Sequence, residues 1–336
     1  MSSGKSVYNI PKQNPKEDAY LDAALRPEVW DEYIGQESVK RNLALMMKAA
    51  QERKEPIDHV LLYGPAGLGK TTLAGLVARQ MGGHLRVTSG PVLSKAGDMA
   101  AILSTLEEGD VLFIDEAHRI NRAIEEMLYP AMESGVLHVV VGKGPGARML
   151  SLSLPRFTLM AATTRVNLLS SPLRTRFGGM FHLDYYSLDD IRAIINRSAH
   201  ILDVALTDEA VDLLAKASRF TPRIANRLLK RVRDFCQVQR LARADIQIAR
   251  AVLDMFAIDE QGLEEHDRKL LRAIIERFSG GPVGVNALAS ALGEDRDVIE
   301  EVYEPYLVKT GFVTRTPAGR MATELAYRHL NIPRAQ

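Results

Sequence analysis

The stretch Gly64-Pro65-Ala66-Gly67-Leu68-Gly69-Lys70-Thr71-Thr72 combines residue types suited to gripping a polyphosphate. It fits the P-loop template of Gly, four residues, Gly-Lys and then Ser or Thr. Glycines let backbone N–H groups turn toward phosphate oxygens, and a helix starting there adds its positive end. Gly67, Leu68, Gly69, Lys70, Thr71 and Thr72 are therefore expected to hold a nucleoside triphosphate. Lys70 would reach the β- and γ-phosphates, and the Thr71 hydroxyl would face Mg²⁺. A second anchor is Val111-Leu112-Phe113-Ile114-Asp115-Glu116, an apolar run closing on two carboxylates some 45 residues after the lysine. Asp115 is expected to hold Mg²⁺ through water opposite Thr71, and Glu116 to orient and polarise the attacking water. Ala117-His118 follows, with no chemical role given to His118. No Asn-Lys-x-Asp segment for reading guanine occurs, so ATP is the expected nucleotide.

These residues need a scaffold that brings them to one edge. His59–Tyr63 reads as a short apolar strand before the P-loop, and Leu73, Leu76 and Val77 lie on one face of a helix after it. Further strands are expected at Leu85–Thr88 and Phe157–Ala162, the latter ending in Thr163-Thr164-Arg165. Strands alternating with helices predict an α/β domain with a parallel sheet covered on both faces and the polar strand ends at its carboxyl edge. Val136–Val141 and Arg148–Leu154 flank Gly142–Ala147, and Leu150, Leu152 and Leu154 alternate with Ser151 and Ser153. That predicts a hairpin with one apolar face, either packed on its own domain or presented to a partner. From Leu188 to about Phe256 only helical patterns occur, which marks an all-helical second domain. Three short helices and a small hairpin then follow, the pattern of a winged helix. Arg315 and Arg320 flank its turn, placed to meet DNA phosphates or a minor groove; a helical oligomerisation domain is the alternative. The resulting division is a mobile arm over 1–20 and domains over 21–183, 184–258 and 259–336.

With 336 residues, 46% hydrophobic and 25% charged, the chain has an ordinary globular composition. Its first twenty residues show no apolar h-region, and no run approaches the ~18 apolar residues of a membrane span. The single Cys236 excludes an internal disulfide and fits a reducing cytoplasm. Net charge is +1, yet nine Lys or Arg fall between Lys216 and Arg243 against Asp234 alone. Such a run is either a solvated helix face or a local grip on phosphates.

Taken together, Gly64–Thr72, Leu112–Arg119, Ala162–Arg165, Ser171–Gly178 and Thr221–Leu229 resemble the AAA+ ATPases. Glu304-Pro305-Tyr306-Leu307 through Arg315-Thr316-Pro317 to Arg320 narrows the resemblance to the bacterial RuvB family of Holliday-junction branch-migration motors. The resemblance implies an AAA+ P-loop core, a helical lid and a winged-helix DNA-binding domain. It implies Thr164, with Thr163, as sensor 1 for the γ-phosphate, Arg176 as an arginine finger for a neighbouring subunit, and Arg223 as sensor 2 on the lid. Leu25, Arg26 and Tyr186 resemble residues around the adenine and sugar, and Arg315 and Arg320 resemble DNA contacts. The implied activity is ATP- and Mg²⁺-dependent branch migration of four-way junctions in recombination and repair, by a ring that is a hexamer on duplex DNA. RuvA would dock on the 136–154 hairpin, with RuvC a further candidate partner. The rival activities are a clamp-loader-like switch and a nucleotide-gated winged-helix regulator. Three positions depart from the family pattern: Ala66 for a second proline, Phe220 for the glycine before Thr-Pro-Arg, and Ala318 for an arginine in the wing.

Overall fold

The computed structural model describes residues 21–141 and 148–334. The expected arm over 1–20 and the Gly142–Ala147 connection lie outside the described residues. Five strands, β1 (Val60–Tyr63), β2 (Leu85–Ser89), β3 (Val111–Asp115), β6 (Thr158–Thr163) and β7 (Gly179–His182), form one parallel sheet. Their order across it is β2-β3-β6-β1-β7. Successive side chains on a strand point to opposite faces, and here both faces are covered. Leu62, Phe113 and Met160 enter one core, whereas Leu61, Ile114 and Leu159 enter the other. That is why these strands read as unbroken apolar runs rather than alternations. Strand β7, only four residues long and alternately exposed, carries no such run and was not expected.

Leu188–Ile201, Asp208–Ala217, Pro222–Gln239 and Ile246–Met255 form the helical second part. Pro222 sits at the first helical position, where a missing N–H costs nothing. The core of this part, through Ile191, Leu214, Leu228 and Leu253, is continuous with the sheet face that carries Leu62 and Phe113. Hydrophobic packing thus crosses the expected 183/184 boundary. Cations of the basic run pair with protein carboxylates. Arg219 pairs with Asp267 at 3.1 Å, Arg227 with Glu264 at 2.6 Å, Lys230 with Asp22 at 2.7 Å, and Arg231 with Asp234 at 2.9 Å. Cys236 is buried, and burial pushes its thiol pKa up, which removes it from nucleophilic chemistry.

The third part has its own core around Leu271, Ile274, Leu288, Leu307 and Phe312. Glu265–Arg272 and Val285–Leu292 are helices, and Arg296–Val298, Ile299–Tyr303 and Glu304–Lys309 run on consecutively with a π turn in the middle. Strands β8 (Val313–Thr316) and β9 (Gly319–Ala322) form the antiparallel wing, with Ala318 exposed at its turn. Phe220 adopts φ 55°, and its ring packs on this third core, 6.3 Å from Tyr306. Strands β4 (Val136–Val141) and β5 (Arg148–Ser153) pair as the expected hairpin. Leu137 anchors it in the core, but every residue of β5 is exposed, the serines as well as Leu150 and Leu152.

Candidate functional site

Adjacent strands β3, β6 and β1 end side by side, so Asp115, Thr163 and the loop from Gly64 share one edge of the sheet. The loop is held in a shape that needs glycine. Gly69 has φ 92°, and a Cβ there would sit 2.8 Å from the Tyr33 hydroxyl oxygen. The hydroxyls of Tyr33 and Tyr186 lie 3.3 and 3.1 Å from the Leu68 carbonyl oxygen, and 3.1 Å from each other. Burial pushes Tyr186 up to about 12 and Tyr33 well above its ordinary value, so both keep their protons to donate. Tyr186, expected beside the adenine and sugar, thus also props the P-loop from below.

Lys70 is buried, and its Nζ donates to the Gly64 and Pro65 carbonyls at 2.9 and 2.7 Å. Burial brings its pKa down to about 8; Asp115 opposes that shift and Arg223 adds to it. Around it opens a cleft of about 320 Å³. Leu25, Arg26, Gly67, Leu68, Gly69, Lys70, Thr71, Thr72 and Tyr186 line it, together with Asp115, Glu116, Thr164 and the lid's Arg223. All the expected nucleotide contacts therefore face one space. Ala66, the departure from proline, also lines it. Thr71 and Asp115 offer a hydroxyl and a carboxylate, hard oxygen donors of the kind that bind Mg²⁺ together with phosphates and water. Among the described residues no group of three or more His, Cys, Asp or Glu gathers to hold a metal unaided.

The two threonines after β6 are separated by the structure. Thr164 is exposed to the cleft, whereas Thr163 is buried. The Thr163 hydroxyl accepts from the Arg165 N–H at 3.0 Å and lies 3.0 Å from His118 Nδ1. Burial lowers the His118 pKa, and the neutral ring can accept a hydrogen bond from the Thr163 hydroxyl at Nδ1. His118, left without a role by the sequence, therefore braces the end of β6. Glu116 has φ 48°, and its carboxylate pairs with Arg119 at 3.2 Å. Arg176 does not line the cleft. It lies over the Tyr129 ring, 4.3 Å from the centroid, donates to the Pro172 carbonyl at 2.7 Å and pairs with Glu133 at 3.0 Å.

Several cleft residues were not foreseen, among them Tyr33, Ile194, Arg197 and Asn226. Arg197 bonds Glu32 at 2.7 Å and the Leu25 carbonyl at 3.0 Å, and so fastens the N-terminal segment over the nucleotide end. Nothing local marks such residues, because their contacts are distant in sequence, 35 positions for Tyr33 with Leu68 and 165 for Arg197 with Glu32.

In the wing, Arg315 and Arg320 stand directly opposite each other across β8 and β9. Like charges in that register repel, and the structure offsets them with two carboxylates, one of which both arginines share. Glu304, 2% exposed in its side chain, accepts from Arg315 Nε and from Arg320 Nε at 2.9 Å, and Glu300 accepts from Arg320 at 3.1 Å.

Family comparison gives consecutive matches. Residues 25–183 match the Holliday junction DNA helicase RuvB P-loop domain, 186–259 the RuvB AAA lid domain, and 260–331 the RuvB C-terminal winged helix domain. The chain is 53% identical over 309 residues to the Holliday junction branch migration complex subunit RuvB of Fusobacterium nucleatum, covering 92% of this chain and 93% of that one. Among solved structures, the RuvB Holliday junction branch migration motor of Thermotoga maritima superposes with a TM-score of 0.85 at 51% identity, covering 92% of this chain and 99% of that one. A proline-to-glycine variant of the same Thermotoga maritima protein gives a TM-score of 0.85 at 51% identity, over 91% and 99% of the two chains. With all three parts matched in order and a half-identical relative along nearly its whole length, this chain belongs to the RuvB family of AAA P-loop ATPases.

Proposed function

We propose that this chain is the ATP-hydrolysing subunit of a ring that moves duplex DNA and drives branch migration of four-way junctions in recombination and repair. One observation carries the reading: Lys70, Thr71, Asp115, Glu116 and Thr164 face a single cleft closed by the lid's Arg223, while Arg176 points elsewhere. Lys70 and the loop N–H groups bind the β- and γ-phosphates, and Thr71 and Asp115 hold Mg²⁺, which neutralises phosphate charge when bound. Glu116 turns from Arg119 to orient the attacking water. Thr164 reads the γ-phosphate, and Leu25, Arg26 and Tyr186 enclose the nucleoside end. Arg176, outside its own cleft, serves the neighbouring subunit's site, so turnover requires assembly; the ring is a hexamer on DNA. Arg315 and Arg320 exchange Glu304 for DNA phosphates. The exposed Met149, Leu150 and Leu152 of the hairpin, 68%, 48% and 46% accessible, support docking of RuvA, with RuvC as a further partner of the assembly. No helix among the described residues is long and apolar enough to cross a membrane; the proposed site of action is DNA in the cytoplasm.

The deciding experiment is dissociation of a synthetic four-way junction with ATP and Mg²⁺, with and without RuvA. Wild type is run beside Lys70→Ala. ATP-dependent dissociation that RuvA enhances and Lys70→Ala abolishes is the expected result. ATP turnover without junction movement would instead favour a clamp-loader-like switch.

A further inference from the structure

Asp297, Glu300, Glu301 and Glu304 follow one another at i, i+3, i+4 and i+7, a spacing that gathers four carboxylates on one side of a helix. The π turn Ile299–Tyr303 carries the middle two, and such turns recur where a helix is bent to function. Four like charges so close repel unless cations meet them, and cations meet them from two different domains. On one edge, Arg165 Nη2 pairs with Asp297 at 3.1 Å and also with Glu301. On the other, Glu300 and Glu304 hold Arg320 and Arg315 of the wing. Arg296 adds a local bond to Glu300 at 3.1 Å.

Arg165 is the peptide neighbour of Thr164, which lines the nucleotide cleft. Adjacent Cα atoms are ~3.8 Å apart, so a shift of Thr164 cannot leave Arg165 in place. The Arg165 backbone is further tied through the Thr163 hydroxyl to His118, which follows directly on the Asp115-Glu116-Ala117 segment. The nucleotide cleft and the wing arginines are thus two ends of one chain of contacts: Thr164, Arg165, the acidic helix side, then Arg315 and Arg320.

We propose that Arg165 is a positioning residue that couples the nucleotide cleft to the DNA-contacting wing through the acidic side of the 296–309 helix. This rests on the reading of Arg315 and Arg320 as DNA contacts. Arg165 does not line the nucleotide cleft, and its guanidinium is engaged by Asp297 and Glu301. It sets how Asp297 and Glu301 hold the helix, and hence how firmly Glu300 and Glu304 compete with DNA phosphates for the wing. Coupling of this kind is reciprocal, so DNA alters nucleotide affinity by the same factor as nucleotide alters DNA affinity.

The test measures duplex DNA affinity of the full chain by fluorescence anisotropy, without nucleotide and with a non-hydrolysable ATP analogue and Mg²⁺. In wild type the two dissociation constants should differ about fivefold or more, the lower end of ordinary allosteric coupling. In Arg165→Glu the ratio should fall within about twofold of one. The charge-swapped Arg165→Glu with Glu301→Arg should restore most of the ratio, which generic damage to the fold would not allow. A wild-type ratio near one overturns the proposal. So does an unchanged ratio in Arg165→Glu, or a swap that restores nothing. Dissociation constants that Arg315→Gln and Arg320→Gln leave untouched would instead overturn the wing reading beneath it.

Discussion

Lys70 offers a direct physical check on the cleft, because its charge is costly before a triphosphate arrives. Burial brings its pKa from 10.5 down to about 8 in the folded chain. A shift of that size corresponds to roughly 3 kcal/mol of penalty on the charged form. The penalty is fully present below pH 8 and fades as pH rises toward 10.5, where the unfolded chain also loses its proton. A bound triphosphate reverses the balance by placing several negative charges at the ammonium group. Nucleotide binding should then be accompanied by proton uptake of about 0.1 at pH 7, about 0.5 at pH 8 and about 0.9 at pH 9. Affinity should fall about fivefold between pH 8 and pH 9, because the empty site must first recover its proton. Calorimetry with a non-hydrolysable ATP analogue and Mg²⁺, repeated in buffers of contrasting ionisation enthalpy, reads the uptake directly. Lys70→Met should abolish its rise with pH. Uptake that stays near zero at pH 9 in wild type, or that survives in Lys70→Met, would show that Lys70 is already fully charged in its carbonyl nest.

Three further outcomes follow from the same geometry. Arg176→Ala should bind ATP normally and lose turnover in the assembled ring by at least about a hundredfold, as a trans finger requires; normal hydrolysis in the variant would remove Arg176 from the mechanism. Leu150→Asp with Leu152→Asp should leave intrinsic ATPase activity intact and abolish RuvA stimulation in the junction assay, because both side chains are exposed and support no core; undiminished stimulation would refute hairpin docking. His59, half-buried, accepts from the Leu159 N–H at 2.9 Å through Nδ1, while Nε2 lies 3.1 Å from the Met132 carbonyl, and desolvation lowers its pKa below 6.5. Its neutral form is favoured by folding, so that stability is complete above the ordinary imidazole value and is lost as pH falls below it. Thermal melts should show a drop below pH 6.5 that His59→Gln lessens; identical pH profiles would discount it.

The parts legible in the sequence are those whose physics is local. The P-loop is one contiguous segment, and its glycines, lysine and hydroxyl announce the chemistry by type and spacing. Asp115 and Thr164 were legible because each ends an apolar run, and in a parallel sheet such ends share an edge. The departures are non-local. Tyr33 supports Leu68 from 35 positions away, and Arg197 reaches Glu32 across 165. Strand β7 is defined by its pairing with β1 rather than by its own composition. The basic run from Lys216 to Arg243 looked equally fit for phosphates, and only packing revealed that Arg219, Arg227 and Lys230 tie domains together.

Phe220 shows how a local rule can be broken for a distant reason. A non-glycine residue at φ 55° costs about 1 kcal/mol or more in backbone sterics. Its ring gains contact with the winged-helix core and with Tyr306, and burying part of a phenylalanine returns about 1–2 kcal/mol. Beside it, Arg219 lies over the Tyr306 ring, 4.4 Å from the centroid, and pairs with Asp267. The backbone carbonyl of Phe220 meanwhile accepts from the Tyr186 N–H at 3.1 Å, while Tyr186 props the P-loop. A residue three positions before Arg223 thus ties the lid both to the DNA-binding domain and to the nucleotide loop. The bulky side chain acts at the domain joint, and the backbone bond acts at the cleft. The ring at position 220 thus joins the lid to the winged helix, while the cleft side receives only a backbone bond that any residue there could supply.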